Sequence, residues 1–437
     1  MSVKKPPFNS SAMQIEKKHP KPDFGFAEIF WIFLKLGVSS FGGPIAHLGY
    51  FHKVFVDEKR WFSSEDYAEI VSLCQFLPGP TSSQVGMSIG LRCGGIFTAF
   101  AAWLGFTLPS ALIMIVAGYG ILSFEGTSFL SVLYALKLLA AAVILDAVIS
   151  MSKSLTPDWT RKIIALFAAT ILVIAPSALM QISVLFMGVI IGIMKDILPN
   201  IKFRNEKQSS QNIAKTPLAT LSSHYNTSGY SPAIKQLAPI AGTLFFVLLC
   251  ALPIATIIYG TDLLKMMNIF FQSGALVFGG GHVVLPLLQS HLVPTGLISH
   301  TDFMAGYGIA QAIPGPLFTF AAYLGVFVPT AMPAWITGIL CLIIIFLPAI
   351  LLVLAVIPIW ENIKDNRYCK SGLYGVNAVV VGLLLAAFIN PILFLTVKSW
   401  VEIALIMVLY IILHFGKLPI WLVIMCTILS GYLWSLI

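Results

Sequence analysis

Charge is scarce in this chain. Only 10% of its 437 residues are Asp, Glu, Lys or Arg, against roughly 25% in an ordinary soluble domain. Hydrophobic residues make up 58%, and the mean hydropathy is +0.91. One globular core cannot hide that much apolar surface, so a soluble domain is excluded; a bilayer accommodates it. Met1 to Asp23 is polar and basic and has no apolar stretch of the kind a cleavable signal peptide carries, so this tail is expected to stay cytoplasmic. The six cysteines, Cys74, Cys93, Cys250, Cys341, Cys369 and Cys426, form no CxxC pair and no metal-binding spacing. They are expected to pack as small apolar residues. Also missing are a nucleotide-binding P-loop, a zinc-protease helix motif, a nucleophile elbow, and a pair of carboxylates deep in one apolar segment. These absences count against a primary pump and against a membrane enzyme, and no cofactor or metal is expected.

What is present is a basic excess, 26 Lys and Arg against 18 Asp and Glu. It does not gather on an aromatic-studded face, so nucleic acid is not expected as a partner. The basic residues sit in short loops between apolar runs, where the positive-inside rule places them. Apolar or interrupted segments cover 26–52, 66–91, 94–122, 128–150, 162–175 and 178–195. A stretch rich in Ser, Asn, Gln and Lys follows, from Asp196 to about Ser231, and reads as an exposed linker. Apolar segments resume at 236–259, 263–289, 302–328, 330–359, 371–389, 392–413 and 418–435. The expected divisions are a tail (1–23), a first repeat (24–195), a linker (196–234), an unmatched helix (235–259) and a second repeat (260–437).

The repeats rest on three motifs in one order. Phe41-Gly42-Gly43 recurs as Phe278-Gly279-Gly280. Gln75 with Pro78-Gly79-Pro80 recurs as Gln311 with Pro314-Gly315-Pro316. Leu108-Pro109 recurs as Leu347-Pro348. The numbering offset is nearly the same for all three, which means duplication. The expected fold is therefore an all-α polytopic membrane protein of two repeats, with broken or re-entrant helices at the F-G-G and P-G-P motifs.

Orientation follows from Lys and Arg. If 26–52 and 66–91 are re-entrant hairpins, the tail, Lys53, Lys59, Arg60 and Arg92 all lie on the cytoplasmic side. The two following pairs of crossings put Lys153, Arg161, Lys162 and the linker there too. The single helix 236–259 then inverts the second repeat. Of the 26 Lys and Arg, only Lys265 and Lys398 fall outside, with Lys35 and Lys137 within the membrane. The external loop Ser290 to Thr301 has no Lys or Arg.

P-G-P in an apolar run removes backbone donors and bends the chain. In lipid each freed group needs a partner, so such a break survives only against protein or a water-filled cavity. Thr81, Ser82 and Ser83 after Pro80 are good N-cap residues, and a half-helix starting there aims amides and hydroxyls toward mid-membrane. Helix N-termini attract oxyanions, and Gly42, Gly43, Gly279, Gly280 and Gly281 permit close backbone approach. The bland alternative is a kink or tight helix packing. Interrupted helices at matching positions in two halves mark a transporter's binding site. Lys137, near the middle of 128–150, is costly in lipid and is a functional candidate, with an internally paired lysine as the alternative. Arg92 fits either an anion clamp or an interfacial anchor. Glu69, Asp146, His47 and His282 are candidates for carrying a coupling proton, each weighed against a satisfied structural role.

The runs Ser39-Ser40-Phe41-Gly42-Gly43-Pro44 and Gln75-Phe76-Leu77-Pro78-Gly79-Pro80 resemble the chromate ion transporter family. The second half, Phe278-Gly279-Gly280-Gly281-His282 and Gln311-Ala312-Ile313-Pro314-Gly315-Pro316, resembles its second domain. The resemblance spans Phe26 to Leu436 apart from the linker. It implies chromate efflux across the bacterial inner membrane and chromate resistance, with proton antiport as one coupling mode. Substrate binding is expected at Phe41, Gly42, Gly43, Pro44, Gln75, Pro78, Gly79, Pro80, Thr81, Ser82, Arg92, Lys137, Gly279, Gly280, Gly281, Gln311, Pro314, Gly315 and Pro316. Relatives linked to sulfate keep that anion as the alternative substrate. Gly281 stands where the first repeat has Pro44, and Leu317 to Phe320 lacks the hydroxyl cluster of Thr81 to Ser83. The second repeat is thus expected to contribute less to binding.

Overall fold

The computed structural model describes residues 24–123, 127–175, 178–197, 232–278, 281–364, 366–416, 418 and 420–434. The basic tail, nearly all of the polar linker, and Gly279 and Gly280 lie outside the described residues. Among the described residues every regular element is helical. This is what apolar sequence in a bilayer demands, since a helix satisfies its own backbone.

The first half runs through α1 (Phe26–Ser39), α2 (Gly43–His52), α3 (Ser64–Phe76), α4 (Thr81–Gly94), α5 (Ile96–Ser123), α6 (Thr127–Leu155), α7 (Trp159–Ile174) and α8 (Ala178–Ile197). The unmatched helix is α9 (Pro232–Tyr259). The second half runs through α10 (Asp262–Ala275), α11 (Val284–Leu292), α12 (His300–Ala312), α13 (Phe320–Phe327), α14 (Ala334–Val356), α15 (Trp360–Ile363), α16 (Arg367–Ala387), α17 (Phe394–Thr396), α18 (Trp400–Phe415) and α19 (Ile420–Trp434). Six of the described helical stretches are long and apolar enough to cross a membrane.

The breaks fall where the motifs put them. F-G-G separates α1 from α2 and α10 from α11, while P-G-P separates α3 from α4 and α12 from α13. At 1.5 Å per residue, α1 to α4 are each about 15–21 Å long, short of the roughly 30 Å hydrocarbon core. The chain folds back at these breaks. Phe24 before α1 stacks on Trp61 after α2, with ring centroids 4.1 Å apart. Asp66 in the first turn of α3 pairs with Arg92 in the last turn of α4 at 3.8 Å. Matching caps start the matching helices: Ser63 Oγ accepts the Asp66 amide and Ser299 Oγ accepts the Asp302 amide, both at 3.0 Å.

Segments 371–389 and 392–413 leave a gap at Asn390-Pro391, and the helix breaks there. Asn390 holds extended φ/ψ of −137° and 117°, so Phe388–Leu393 is a kink between two helical stretches, the second ending at Thr396. The segment 392–413 is itself divided by a turn at Val397 to Ser399. There Ser399 and Glu402 form a capping box that starts α18.

The halves exchange helices. α6 packs on α18 and α19 of the second half, and α16 packs on α7 and α8 of the first. Tyr134 on α6 donates to Glu402 on α18. Tyr374 on α16 donates to Asp158, the N-cap of α7, at 2.8 Å. Burial works against the Asp158 charge, but hydrogen bonds from the Arg161 amide, the Tyr374 hydroxyl and the Arg161 guanidinium outweigh it and hold the carboxyl below its usual range.

Candidate functional site

The four breaks meet as a reciprocal pair. The Gly79 amide donates to the carbonyl of Val277, the residue before Phe278, at 2.7 Å. The Gly315 amide donates to the carbonyl of Ser40, the residue before Phe41, at 3.0 Å. Each P-G-P thus bonds the other half's F-G-G entry. The corresponding residues Pro44 and Gly281 also face each other: a Cβ added at Gly281 would lie 3.7 Å from the Pro44 ring. Gly79 and Gly315 hold φ of +123° and +104°, a region where only glycine is free of strain. The sequence leaves their amides available for an anion, but both are engaged in these crossings. The Gln84 side chain closes the first turn, donating to the Pro78 carbonyl at 2.8 Å.

In the first repeat, polar side chains line this crossing. His47 Nδ1 meets Ser82 Oγ at 3.2 Å, both residues being buried. The Ser40 backbone lies beside the His47 ring, yet Nε2 has no well-formed hydrogen bond. Among the described residues, Ser40 Oγ, Ser83 Oγ and Thr107 Oγ1 are also buried without a partner. Leaving a buried polar group unpaired costs about 1–3 kcal/mol. Several around one crossing therefore point to a ligand or water that completes them.

The remaining predicted residues are spread more widely. Thr81 and Ser82 open α4 after Pro80, and Gly43 and Pro44 open α2 after Phe41 and Gly42. Pro314 and Pro316 flank Gly315. Gln75 is exposed, while Gln311 Nε2 is buried without a partner. Arg92 lies at the end of the hairpin with Asp66, 6.0 Å from the Phe62 ring. Glu69 pairs with Lys364 at 3.1 Å, and Asp146 pairs with His414 at 2.7 Å. The side chain of His282 lies outside the described residues, as do Gly279 and Gly280. Lys137 is buried on α6, with Nζ 3.5 Å from the Leu395 carbonyl.

Sequence reasoning named Ser83 only as a cap residue and missed Ser40, Gln84 and Thr107 as lining. They flank the motifs within a turn or precede Leu108-Pro109, so adjacency to a break was their available signal. It also missed a cavity of about 280 Å³ whose lining includes Gln181, Gln289, Ser290 and Asn390. None of the predicted residues lines it.

The sequence profile of the family described as Chromate transporter matches residues 27–193 and 264–432. The chain is 27% identical to an uncharacterized transporter of Methanocaldococcus jannaschii, over 93% of each chain. It is 26% identical to a probable chromate transport protein of Synechococcus elongatus, over 85% of this chain and 86% of the relative. It is 25% identical to a chromate transport protein of Pseudomonas aeruginosa, over 84% of this chain and 82% of the relative. No solved structure matches it. Two matched repeats, each carrying both helix breaks, establish that this multi-pass membrane protein belongs to the chromate transporter family.

Proposed function

We propose that the chain is a secondary transporter of a tetrahedral oxyanion and that chromate leaving the cell is its physiological traffic. The observation that carries this reading is the polar-lined crossing of broken helices inside apolar sequence, which sets hydroxyls and an imidazole beside the α4 N-terminus. Relatives named as chromate transport proteins support the choice of anion. Energetics favour export. One charge moved through 100 mV is worth about 2.3 kcal/mol, and a dianion leaving an inside-negative cell gains about twice that. Sulfate shares this charge and shape and is the alternative substrate, taken up by proton symport. Everted membrane vesicles should accumulate chromate, with sulfate a weaker competitor. Accumulation of sulfate alone would reassign the substrate, and no oxyanion flux would refute the transporter reading.

The two repeats are inverted in this proposal, with the ends of α3 and α4 that carry Asp66 and Arg92 facing the cytoplasm. Contacts between the corresponding helices α5 and α14 support it. The Tyr119 hydroxyl near the end of α5 accepts the Trp335 amide at the start of α14 at 3.1 Å. Trp103 and Phe346 then meet farther along, with ring centroids 5.7 Å apart. As numbers fall on α5 they rise on α14, so the two run antiparallel. Single cysteines in a cysteine-free background should confirm the sidedness. Ser210→Cys in the linker should label from the cytoplasm, and Thr295→Cys only from outside. Labelling of both from the cytoplasm would rule the inversion out.

A further inference from the structure

We infer that the protein has a single oxyanion site, built by the first repeat alone, and that the second repeat's corresponding half-site is sealed with hydrocarbon. This rests on the oxyanion reading above and specifies which side chains take the anion. The near-constant offset between the repeats pairs each polar lining residue with its counterpart. Ser40 corresponds to Val277 and His47 to Val284. Ser82 corresponds to Phe318, Gln84 to Phe320 and Thr107 to Phe346. All five counterparts are apolar and at most 1% exposed.

The counterparts also fill the space. Phe318 and Phe346 touch, with ring centroids 5.7 Å apart, where the first repeat has the hydroxyls of Ser82 and Thr107. Phe320 packs among Phe303 and Tyr323 at 5.1 and 5.7 Å. Among the counterparts the one hydroxyl is that of Thr319, opposite Ser83, and it is spent on the Pro316 carbonyl at 2.8 Å. In the first repeat, by contrast, Ser40 Oγ, Ser83 Oγ and Thr107 Oγ1 are buried and unpartnered among the described residues, and His47 Nε2 has only the Ser40 backbone beside it. The unpartnered Ser273 Oγ and Gln311 Nε2 of the second repeat match Leu36 and Gln75, not any of these residues. His47 and Ser82 bond each other, and with Nδ1 accepting the Ser82 hydroxyl proton, Nε2 carries hydrogen and becomes a donor. Hydroxyls and one N–H are the donors an acceptor-only oxyanion needs. Rings and valines offer it nothing, and a desolvated dianion facing them would be strongly disfavoured.

The pairing also changes the part His282 plays. The sequence sets it beside His47 as a second break histidine, yet the offset matches it to Ile45, and Val284 stands opposite His47. The imidazole therefore belongs to one repeat only. The duplication supplies the crossed scaffold twice and the chemistry once.

The test uses the full chain purified in detergent, with chromate and radiolabelled sulfate as probes in equilibrium binding, and thermal melting of every variant. Wild-type protein should bind one anion per chain. Ser40→Ala, Ser83→Ala and His47→Gln should each weaken binding by about tenfold or more, the scale of a lost hydrogen bond to a charged group. Ser40→Ala and Ser83→Ala should leave the melting temperature unchanged, because those hydroxyls hold no protein partner. Thr319→Ala and Val284→Ala should bind as wild type. Two anions per chain, or weakened binding in Thr319→Ala, would overturn the asymmetry and leave the oxyanion reading standing. One anion with wild-type affinity in Ser40→Ala, Ser83→Ala and His47→Gln would overturn this lining as the site. Failure of the wild type to bind any oxyanion would overturn the transport reading and this inference with it.

Discussion

Replacing Gly79 by alanine should abolish transport while the protein still inserts in the membrane. Three costs fall on that one methyl group. The backbone at Gly79 holds φ +123°, where a residue with a Cβ is strained by about 1–3 kcal/mol. The new Cβ would lie 2.9 Å from Gln84 Nε2 and 3.1 Å from the Ala349 Cβ. Relief by rotation would pull the amide off the Val277 carbonyl and open the crossing. Gln84 would also release Pro78, undoing the turn that aims α4. Gly315→Ala should act in the same way, since its Cβ would meet Ser110 Oγ at 2.8 Å, and Ser110 corresponds to Ala349. The two crossings form one seam, so the double variant should lose much less stability than the single losses combined. Flux per inserted protein and the melting temperature decide it. Wild-type flux in Gly79→Ala would remove the crossing from the mechanism. The triple variant Pro78→Ala, Gly79→Ala, Pro80→Ala goes further, fusing α3 and α4 into one continuous helix from Ser64 to Gly94, because alanine restores the missing donors. Its transport should vanish too.

The breaks were legible because Gly and Pro act locally: what they do to a helix follows from their own geometry. The repeat was legible for the same reason, since two break motifs and the Leu-Pro pair inside α5 and α14 kept their spacing. A fourth signal lay beside them, the Ser63-Asp66 and Ser299-Asp302 caps, which keep the same offset as the P-G-P motifs. Contacts between halves could not be read this way. Nothing in the run around Tyr134 says that its hydroxyl reaches Glu402, or that Tyr374, far along in the second half, repeats the contact with Asp158. The engagement of Gly79 by Val277 is likewise a long-range event. Gln75 and Gln311 had equal standing in the sequence because they occupy equal motif positions. Helix packing then left one exposed and buried the other's Nε2. At Asn390-Pro391 the local rule held, because Asn390 leaves helical geometry and kinks the chain; the sequence missed the further turn that the capping box at Ser399 closes.

Lys137 carries the second large effect. It is 6% exposed in the middle of apolar sequence, and its hydrogen bond goes to the Leu395 carbonyl rather than to a carboxylate. Nζ also sits 5.5 Å from the Tyr134 ring. Glu402, the nearby acid, is already served by the Tyr134 hydroxyl and by the amides of Lys398 and Ser399. The lysine is therefore not required to satisfy that carboxylate. Its neighbour Leu136 lies against Gly308 on α12, the helix that ends at the second P-G-P. The tyrosine pairing puts Asn377 opposite it in the second half, so this charge, like the polar lining, belongs to one repeat. Were the anion to pass about 5 Å from Nζ, in an effective dielectric of about 20, that unit charge would be worth about 3 kcal/mol, and a dianion would feel twice that. Lys137→Met keeps the apolar stem and removes the charge, so it should cut chromate flux by about tenfold or more, a small part of that Coulomb energy. Lys137→Arg should keep most of the flux. The competing account makes Lys137 a counter-charge for Glu402 alone. On that account Lys137→Met would lower the melting temperature, and adding Glu402→Gln would restore both stability and transport. We expect the double variant to remain inactive, because the charge it lacks is one the anion passes on its way to or from the site.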